Sequence, residues 1–210
     1  MIKRSFDFIA SAVGLVILSP ILGLLGLLVK LSDGGPVFYR QERVGLRGRP
    51  FYIWKLRSMV KNAESRGPSI TKSGDPRVTA VGRFMRKNKL DELPQLWNVL
   101  KGEMSFVGPR PEVARYVALY TKSQSRVLDL KPGITDLATI AFRNEEELLA
   151  CANDADEFYR EFCLPKKIEL NLSYGTRANF WRDLKIIFLT LLPQLQAGSN
   201  HSKLVPSQKN

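Results

Sequence analysis

FIASAVGLVILSPILGLLGLLV, running from Phe8 to Val29, is flanked by Lys3-Arg4 on one side and Lys30 on the other. As one straight helix this stretch would be ~33 Å long, enough to cross a bilayer core of ~30 Å. Ser19-Pro20 stands near its centre. Pro20 has no N–H for the carbonyl of Val16, and its ring crowds that carbonyl. A bend or a stop is therefore expected there, softened by the Ser19 hydroxyl bonding one turn back. Arms of about ten to thirteen residues, ~15–20 Å each, would be too short to cross alone. Basic residues mark the cytoplasmic ends of membrane segments. Lys3 and Arg4 precede the run, and Lys30, Arg40, Arg43, Arg47 and Arg49 follow it. A re-entrant hairpin anchored through Lys3, Arg4, Ser19 and Pro20 puts both ends on one side. The alternatives are a kinked single span and a cleaved secretory signal, though the run leads into Val29-Lys30-Leu31 rather than a small-residue cleavage site.

Outward from this segment, the expected organisation is a membrane helix over 1–31, one domain over 32–196 and a polar, disordered tail over 197–210. About 180 residues suffice for a domain with a real core. The net charge of +12 favours polyanions: anionic headgroups first on a membrane-bound chain, anionic substrates second. No helix-turn-helix, zinc-finger or RNA-platform pattern supports nucleic acid. Cys151 and Cys163 are too few and too far apart for a zinc site or a CxxC pair and read as reduced thiols. The single histidine, His201, lies in the polar tail, so acid–base or nucleophilic work falls to carboxylates.

The fold class expected is α+β, mostly helical, with one short β-hairpin and the broken N-terminal helix. Val37 to Gln41 and Phe51 to Leu56 read as strands joined by a bend at Gly45 to Gly48. Met59 to Arg66 offers a turn or two of helix, and Gly67 to Pro76 a loop. Helices are expected over Arg77 to Asn88, Leu93 to Lys101 with Gly102 as stop signal, Val113 to Leu130, Asn144 to Ala150, Ala155 to Phe162 and Phe180 to Gln196. Lys131-Pro132-Gly133 reads as a turn. The last helix carries apolar residues at 180, 181, 184, 187, 188, 191 and 192, one greasy face for the core, the membrane interface or a homodimer.

Asp91-Glu92-Leu93-Pro94 is the chemical centre. Adjacent carboxylates before a helix are commonly caps, with proline at the first helical position. Here, however, Arg83, Arg86, Lys87 and Lys89 precede them and Lys101 follows. Such surroundings are expected to keep a carboxylate ionised and to hold a phosphate. An ionised Asp facing a phosphoryl group can bind its metal, orient an incoming oxygen, or attack phosphorus. In Gly108-Pro109-Arg110-Pro111-Glu112 two prolines hold Arg110 on a stiff backbone suited to bidentate phosphate contact. Lys55-Leu56-Arg57-Ser58-Met59 is a third basic cluster, at a strand end.

Taken in order, these segments resemble the bacterial sugar transferase family, the monotopic polyprenyl-phosphate phosphoglycosyl transferases. The resemblance runs from Lys3 to about Thr190. It includes Lys3-Arg4-Ser5-Phe6-Asp7, Gln41-Glu42-Arg43-Val44-Gly45, Asp75-Pro76-Arg77-Val78-Thr79, the continuous stretch from Leu90 to Ser105, and Lys131-Pro132-Gly133-Ile134-Thr135. It implies a catalytic domain on the cytoplasmic face of the bacterial inner membrane, held by a re-entrant helix. It implies transfer of a sugar 1-phosphate from a UDP-sugar to polyprenyl phosphate with release of UMP, dependence on Mg²⁺, and service to downstream glycosyltransferases. Asp91 matches the family's nucleophile, Glu92 assists, and both are expected at the metal. Lys55, Arg57, Arg86, Arg110, Glu112 and Arg143 are the expected substrate-binding residues. The same reaction by direct attack in a ternary complex, and a non-catalytic basic protein of the membrane surface, remain as alternatives. The chain departs from the family pattern at Asp136, Thr139 and Phe142 and in the acidic stretch Glu145 to Asp156, which leaves the sugar open.

Overall fold

The computed structural model describes residues 2–67 and 70–192. The end of the expected last helix at Gln196, the end of the domain at 196, the tail from Ala197 and His201 lie outside the described residues.

The apolar segment forms one helix, α1 (Ile2–Asp33), uninterrupted at Pro20. The expected stop at Pro20 is thereby corrected, while the expected bend is compatible with a continuous helix. Val16 loses its backbone donor to Pro20, but the Ser19 hydroxyl donates to that same carbonyl at 2.8 Å, so the helix keeps its hydrogen bonding across the proline. One stripe of α1, including Asp7, Ser11, Leu25, Gly26 and Val29, is buried against the domain. The other face leaves Ile9, Val13, Val16, Leu24, Leu27 and Leu31 more than half exposed. By length and composition the helix can cross a membrane. Both of its ends are tied to the domain. Lys3 Nζ donates to the Val107 carbonyl (2.9 Å), Tyr174 Oη (3.1 Å) and Asp183 Oδ2 (2.7 Å). Arg4 donates to the carbonyls of Val99 (2.7 Å) and Leu100 (2.8 Å). At the far end Arg57 pairs with Asp33, while Leu25 and Val29 pack with Leu56 and Met85.

The hairpin pairs β1 (Phe38–Val44) with β2 (Pro50–Leu56), in register from Phe38 opposite Leu56 to Val44 opposite Pro50. Both strands start earlier or run longer than the pattern suggested, because the bend closes tightly through Arg47 and Gly48, both at positive φ. Helix α2 (Ala80–Lys87) begins three residues later than expected, where the Thr79 hydroxyl accepts from the Gly82 N–H at 2.9 Å. A 3₁₀ turn, Leu90–Glu92, leads through Pro94 into α3 (Gln95–Lys101), which Gly102 ends at φ 85°.

Two three-residue strands escaped the sequence pattern. β3 (Ser105–Val107) and β4 (Gly133–Thr135) pair in parallel. The expected long helix from Val113 to Leu130 is corrected to α4 (Ala114–Val117) and a 3₁₀ segment, Gln124–Asp129. The interruption comes from Thr121, whose N–H donates to Gln124 Oε1 (2.9 Å) while its hydroxyl accepts from the Gln124 N–H (3.3 Å). Side chains thus offer the backbone a local alternative to the helix. After α5 (Leu137–Ala141), α6 (Glu145–Cys151) and α7 (Ala155–Phe158), a π turn enters α8 (Leu164–Gly175). The pattern gave no signal for α8. Pro165 looks like a breaker but occupies the first turn, where no N–H is needed. The segments around α6 and α7 are not mere surface: Leu149, Ala155, Tyr159 and Cys163 join Tyr116, Val127, Phe142, Leu164 and Ile168 in a buried cluster. The greasy face of α9 (Phe180–Leu191) is only partly covered. Asp183 and Ile186 turn inward, Asp183 drawn by Lys3, and Trp181, Phe188 and Leu191 stay exposed.

Candidate active site

A cleft of about 1190 Å³ opens between α2, the Leu90–Glu92 turn, the Arg110 loop and the wall of α5, α6 and α8. Ala10, Gly14 and Leu18 of α1 line it as well, so the cleft reaches the apolar helix at mid-length.

One corner of the cleft gathers charge from three elements. Lys55 comes from β2. Glu92 comes from the 3₁₀ turn, whose direction is set by Lys89 in the left-handed region at φ 56°. Arg110 follows β3, where Gly108 and Gly133 cross so closely that a Cβ on either would collide with the other strand's backbone. The Arg110 N–H is fixed by Asp136 Oδ2 at 3.0 Å. The side chains then converge. Lys55 Nζ reaches Glu92 Oε1 at 2.9 Å, and Arg110 grips both Glu92 oxygens, through Nη1 to Oε2 at 3.0 Å and through Nη2 to Oε1.

Asp91 is different. It is only 6% exposed, and its Oδ1 is buried with no hydrogen-bond partner. No side chain caps α3, which removes the capping explanation for this residue. The surrounding cations do not dominate the Asp91 pKa, although they oppose its rise. Burial raises its pKa, Glu92 raises it further, and the opposing pull of Lys55, Arg86 and Lys89 does not compensate. For Glu92 burial also works upward, but Arg110 and Lys55 overcome it and hold the carboxyl well below the usual range. Burial lowers the Lys55 pKa against the attraction of Glu92. Glu92, against the cost of burial, raises that of Arg110.

The other expected residues are distributed unevenly. Arg86 lines the cleft and spans it to pair with Glu146 of α6. Glu112 also lines it, accepting from Tyr159 Oη and pairing with Arg43 at 3.7 Å. Arg143 stands at the opposite rim, where it donates to the Thr190 carbonyl at 3.1 Å. Arg57 is not brought into the cleft: it is buried against Asp33 at the end of α1. Lys101, expected as a flanking cation, lies over the Trp97 ring at the far end of α3. Arg83, Lys87 and Lys89 line the cleft. Two site residues escaped sequence reasoning. Asp136, 1% exposed, caps α5 through the Thr139 N–H and accepts from Asn171 Nδ2 at 2.7 Å as well as from Arg110. Asn171 thereby turns Oδ1 away, and that atom has no partner. Asp136 carried a signal as a departure from the family pattern; Asn171 carried none.

Among the described residues, no group of three or more His, Cys, Asp or Glu could hold a metal by itself. Mg²⁺ commonly binds through one or two carboxylates plus substrate phosphates, and the orphaned Asp91 Oδ1 fits that role. Glu92 does not, since both of its oxygens are taken by cations.

Comparison with known proteins gives a consistent result. The sequence profile described as "Bacterial sugar transferase" matches residues 1–197. The chain is 38% identical over 195 residues to the "UDP-glucose:undecaprenyl-phosphate glucose-1-phosphate transferase" of Escherichia coli (strain K12), covering 91% of this chain and 39% of that protein. It is 40% identical over 191 residues to the "Uncharacterized sugar transferase EpsL" of Bacillus subtilis (strain 168), covering 91% of this chain and 86% of that one. It is 37% identical over 193 residues to the "UDP-N-acetylgalactosamine-undecaprenyl-phosphate N-acetylgalactosaminephosphotransferase" of Aeromonas hydrophila, covering 90% and 43%. The chain thus spans about two fifths of the E. coli and Aeromonas relatives and most of the B. subtilis one.

Proposed function

The chain belongs to the bacterial sugar transferase family, and from that premise we propose that it moves a sugar 1-phosphate from a UDP-sugar to polyprenyl phosphate through a phosphosugar held on Asp91. The chain is a transferase, and its apolar helix places it at the inner membrane with the domain facing the cytoplasm. The observation that carries the reading is the orphaned, buried Asp91 oxygen beside the Lys55–Glu92–Arg110 cluster, at the wall of a cleft that also touches α1.

In the first step an Asp91 carboxylate oxygen attacks the phosphorus that bears the sugar. The bond from that phosphorus to the bridging oxygen breaks, and UMP leaves with the electron pair. An oxygen of polyprenyl phosphate then attacks the same phosphorus, and the Asp91 carboxylate is released. A carboxylate oxygen that accepts no hydrogen bond keeps its lone pairs available for attack. Arg110 and Lys55, held in place before substrate arrives, present N–H groups where negative charge gathers. Asp91, together with the donor phosphates, would hold Mg²⁺, which would supply neutralisation of the diphosphate charge. Arg86, Glu112 and Arg143 border the space left for the nucleotide and sugar.

The helix is read as re-entrant because Lys3–Asp183 at one end and Arg57–Asp33 at the other fasten both ends to the same domain. Its exposed apolar face is the surface offered to lipid. The domain is read as 32–196.

The test is a panel of UDP-sugars with undecaprenyl phosphate and Mg²⁺, read as UMP release by the detergent-solubilised chain. One donor is expected to turn over, and mass spectrometry with donor alone is expected to find a phosphosugar on Asp91. Turnover without that adduct would point to direct attack in a ternary complex. No UMP from any donor, with folded protein, would count against the reaction itself.

A further inference from the structure

We propose that Glu92 is the counter-charge that sets Lys55 and Arg110 in place around the Asp91 corner, a positioning residue and not a group that touches the reacting atoms. The inference rests on the phosphoryl-transfer reading above and assigns separate labour to two adjacent carboxylates.

Geometry carries it. Oε1 of Glu92 takes Lys55 Nζ at 2.9 Å and one arm of Arg110; Oε2 takes the other arm at 3.0 Å. The three partners arrive from β2, the 3₁₀ turn and the loop after β3. The side chains are 17%, 11% and 35% exposed for Lys55, Glu92 and Arg110. Two cations that share one largely dry corner repel each other, and little water is present to screen them. A carboxylate between them removes that repulsion and leaves a net positive corner. It does so without exhausting the donors. Lys55 keeps two further N–H groups, and each Arg110 nitrogen in the fork keeps another. Those remaining donors are the ones able to meet phosphate oxygens. Asp91, one residue earlier, has an oxygen that meets nothing. The pair therefore splits: one carboxylate spends its lone pairs on holding cations, the other keeps an oxygen free.

The experiment uses the full chain in detergent and measures UDP affinity by calorimetry, together with donor KM, acceptor KM and kcat. Variants are Glu92→Gln, Glu92→Asp, Lys55→Met and Glu92→Gln/Lys55→Met. Glu92→Gln is expected to weaken UDP binding and raise donor KM by about tenfold or more, a single charge-assisted contact being worth at least ~1.5 kcal/mol. Saturating donor should still load the phosphosugar on Asp91. Glu92→Asp, which keeps the charge, should recover part of the affinity. The double variant should lose no more than about threefold beyond the worse single one, since contacting residues of one network are not additive. The proposal is overturned if Glu92→Gln binds UDP like the wild type while adduct formation collapses, or if the two single losses multiply in full. If Glu92→Gln fails to fold, Lys55→Met decides alone: unchanged UDP affinity there would sink the clamp. Wild-type chain that binds UDP yet transfers nothing would defeat the functional reading while the binding arm still judges Glu92.

Discussion

The corner formed by β2, the Leu90–Glu92 turn and the Arg110 loop is held by charge, whereas the wall of α5 to α8 is held by packing. In the corner, Lys55, Glu92 and Arg110 fix one another across three elements. In the wall, Phe142, Leu149, Tyr159, Cys163, Leu164 and Ile168 bury apolar surface together. The two regions face each other across one cleft. The difference teaches where substitutions will be felt. A charge changed in the corner alters what the cleft can bind or do and leaves the apolar core intact. A methylene removed from the wall lowers stability and leaves the reacting groups where they are.

The sharpest way to break this contrast is Asp91→Asn. It keeps shape and removes the proposed nucleophile, so turnover is expected to fall by at least about a thousandfold, as for nucleophiles in other covalent enzymes. Thermal unfolding should be essentially unmoved. Retention of more than a tenth of wild-type UMP release would mean that chemistry does not reside in this corner.

Ile168→Ala is the mirror experiment. Ile168 is 4% exposed within the wall cluster, and truncation should cost about 2–4 kcal/mol of stability. Denaturant titration reads the loss. UMP release per folded molecule should stay within about twofold, and a large fall in kcat at full folding would show that the wall takes part in the chemistry.

Arg110→Lys is expected to come next in size. Lysine keeps the charge but cannot hold both Glu92 oxygens in a fork. Donor KM should rise by roughly tenfold, about 1.4 kcal/mol, with the unfolding midpoint nearly constant. An equal effect on the acceptor KM alone would move Arg110 to the lipid side of the cleft.

The smallest effect belongs to the wall's polar edge. The Tyr116 hydroxyl donates to Asp156 at 2.7 Å, and Arg115 and Arg160 pair with it. Led by the Tyr116 hydrogen bond, against a lesser upward push from burial, these contacts lower the Asp156 pKa in the folded chain. The folded state then binds fewer protons than the unfolded one near pH 4. The resulting stability is present above about pH 4 and is lost as pH falls through the folded value. Thermal unfolding followed from pH 6 to pH 2.5 should therefore show a slightly shallower acid decline for Asp156→Asn. An identical slope would remove Asp156 from the account of acid stability.

Much of the corner was legible because its parts are local in sequence. Asp91-Glu92 sits in one dipeptide, and Arg110 is stiffened by its own two prolines. What pairs with them was not legible. Lys55 and Glu92 are 37 residues apart, and Asp136 and Asn171 are 35 apart. Arg57 illustrates the error this allows. By sequence it shares a basic cluster with Lys55, and strand alternation would put both on one face; but β2 ends at Leu56, and Arg57, just beyond it, turns to Asp33 while Lys55 enters the cleft. Pattern reading was strongest for the hairpin and α3, whose signals are periodic or end in a defined stop. It was weakest for three-residue strands and for α8, where a proline and a core-facing asparagine hide the periodicity.

The amino-acid sequence by itself determined that an apolar helix joins a basic domain, that carboxylates rather than histidine are available for chemistry, and which dipeptide and which arginine stand out as candidates. Those properties follow from residue type and short-range spacing, which the backbone carries into any fold. The tertiary structure alone decided that the helix runs unbroken through Pro20, that Glu92 is spent on two cations, and that Asp91 keeps a free oxygen. Burial and pairing between residues far apart in the chain set these outcomes, because the environment of a charge depends on what folding brings beside it and how much water folding removes.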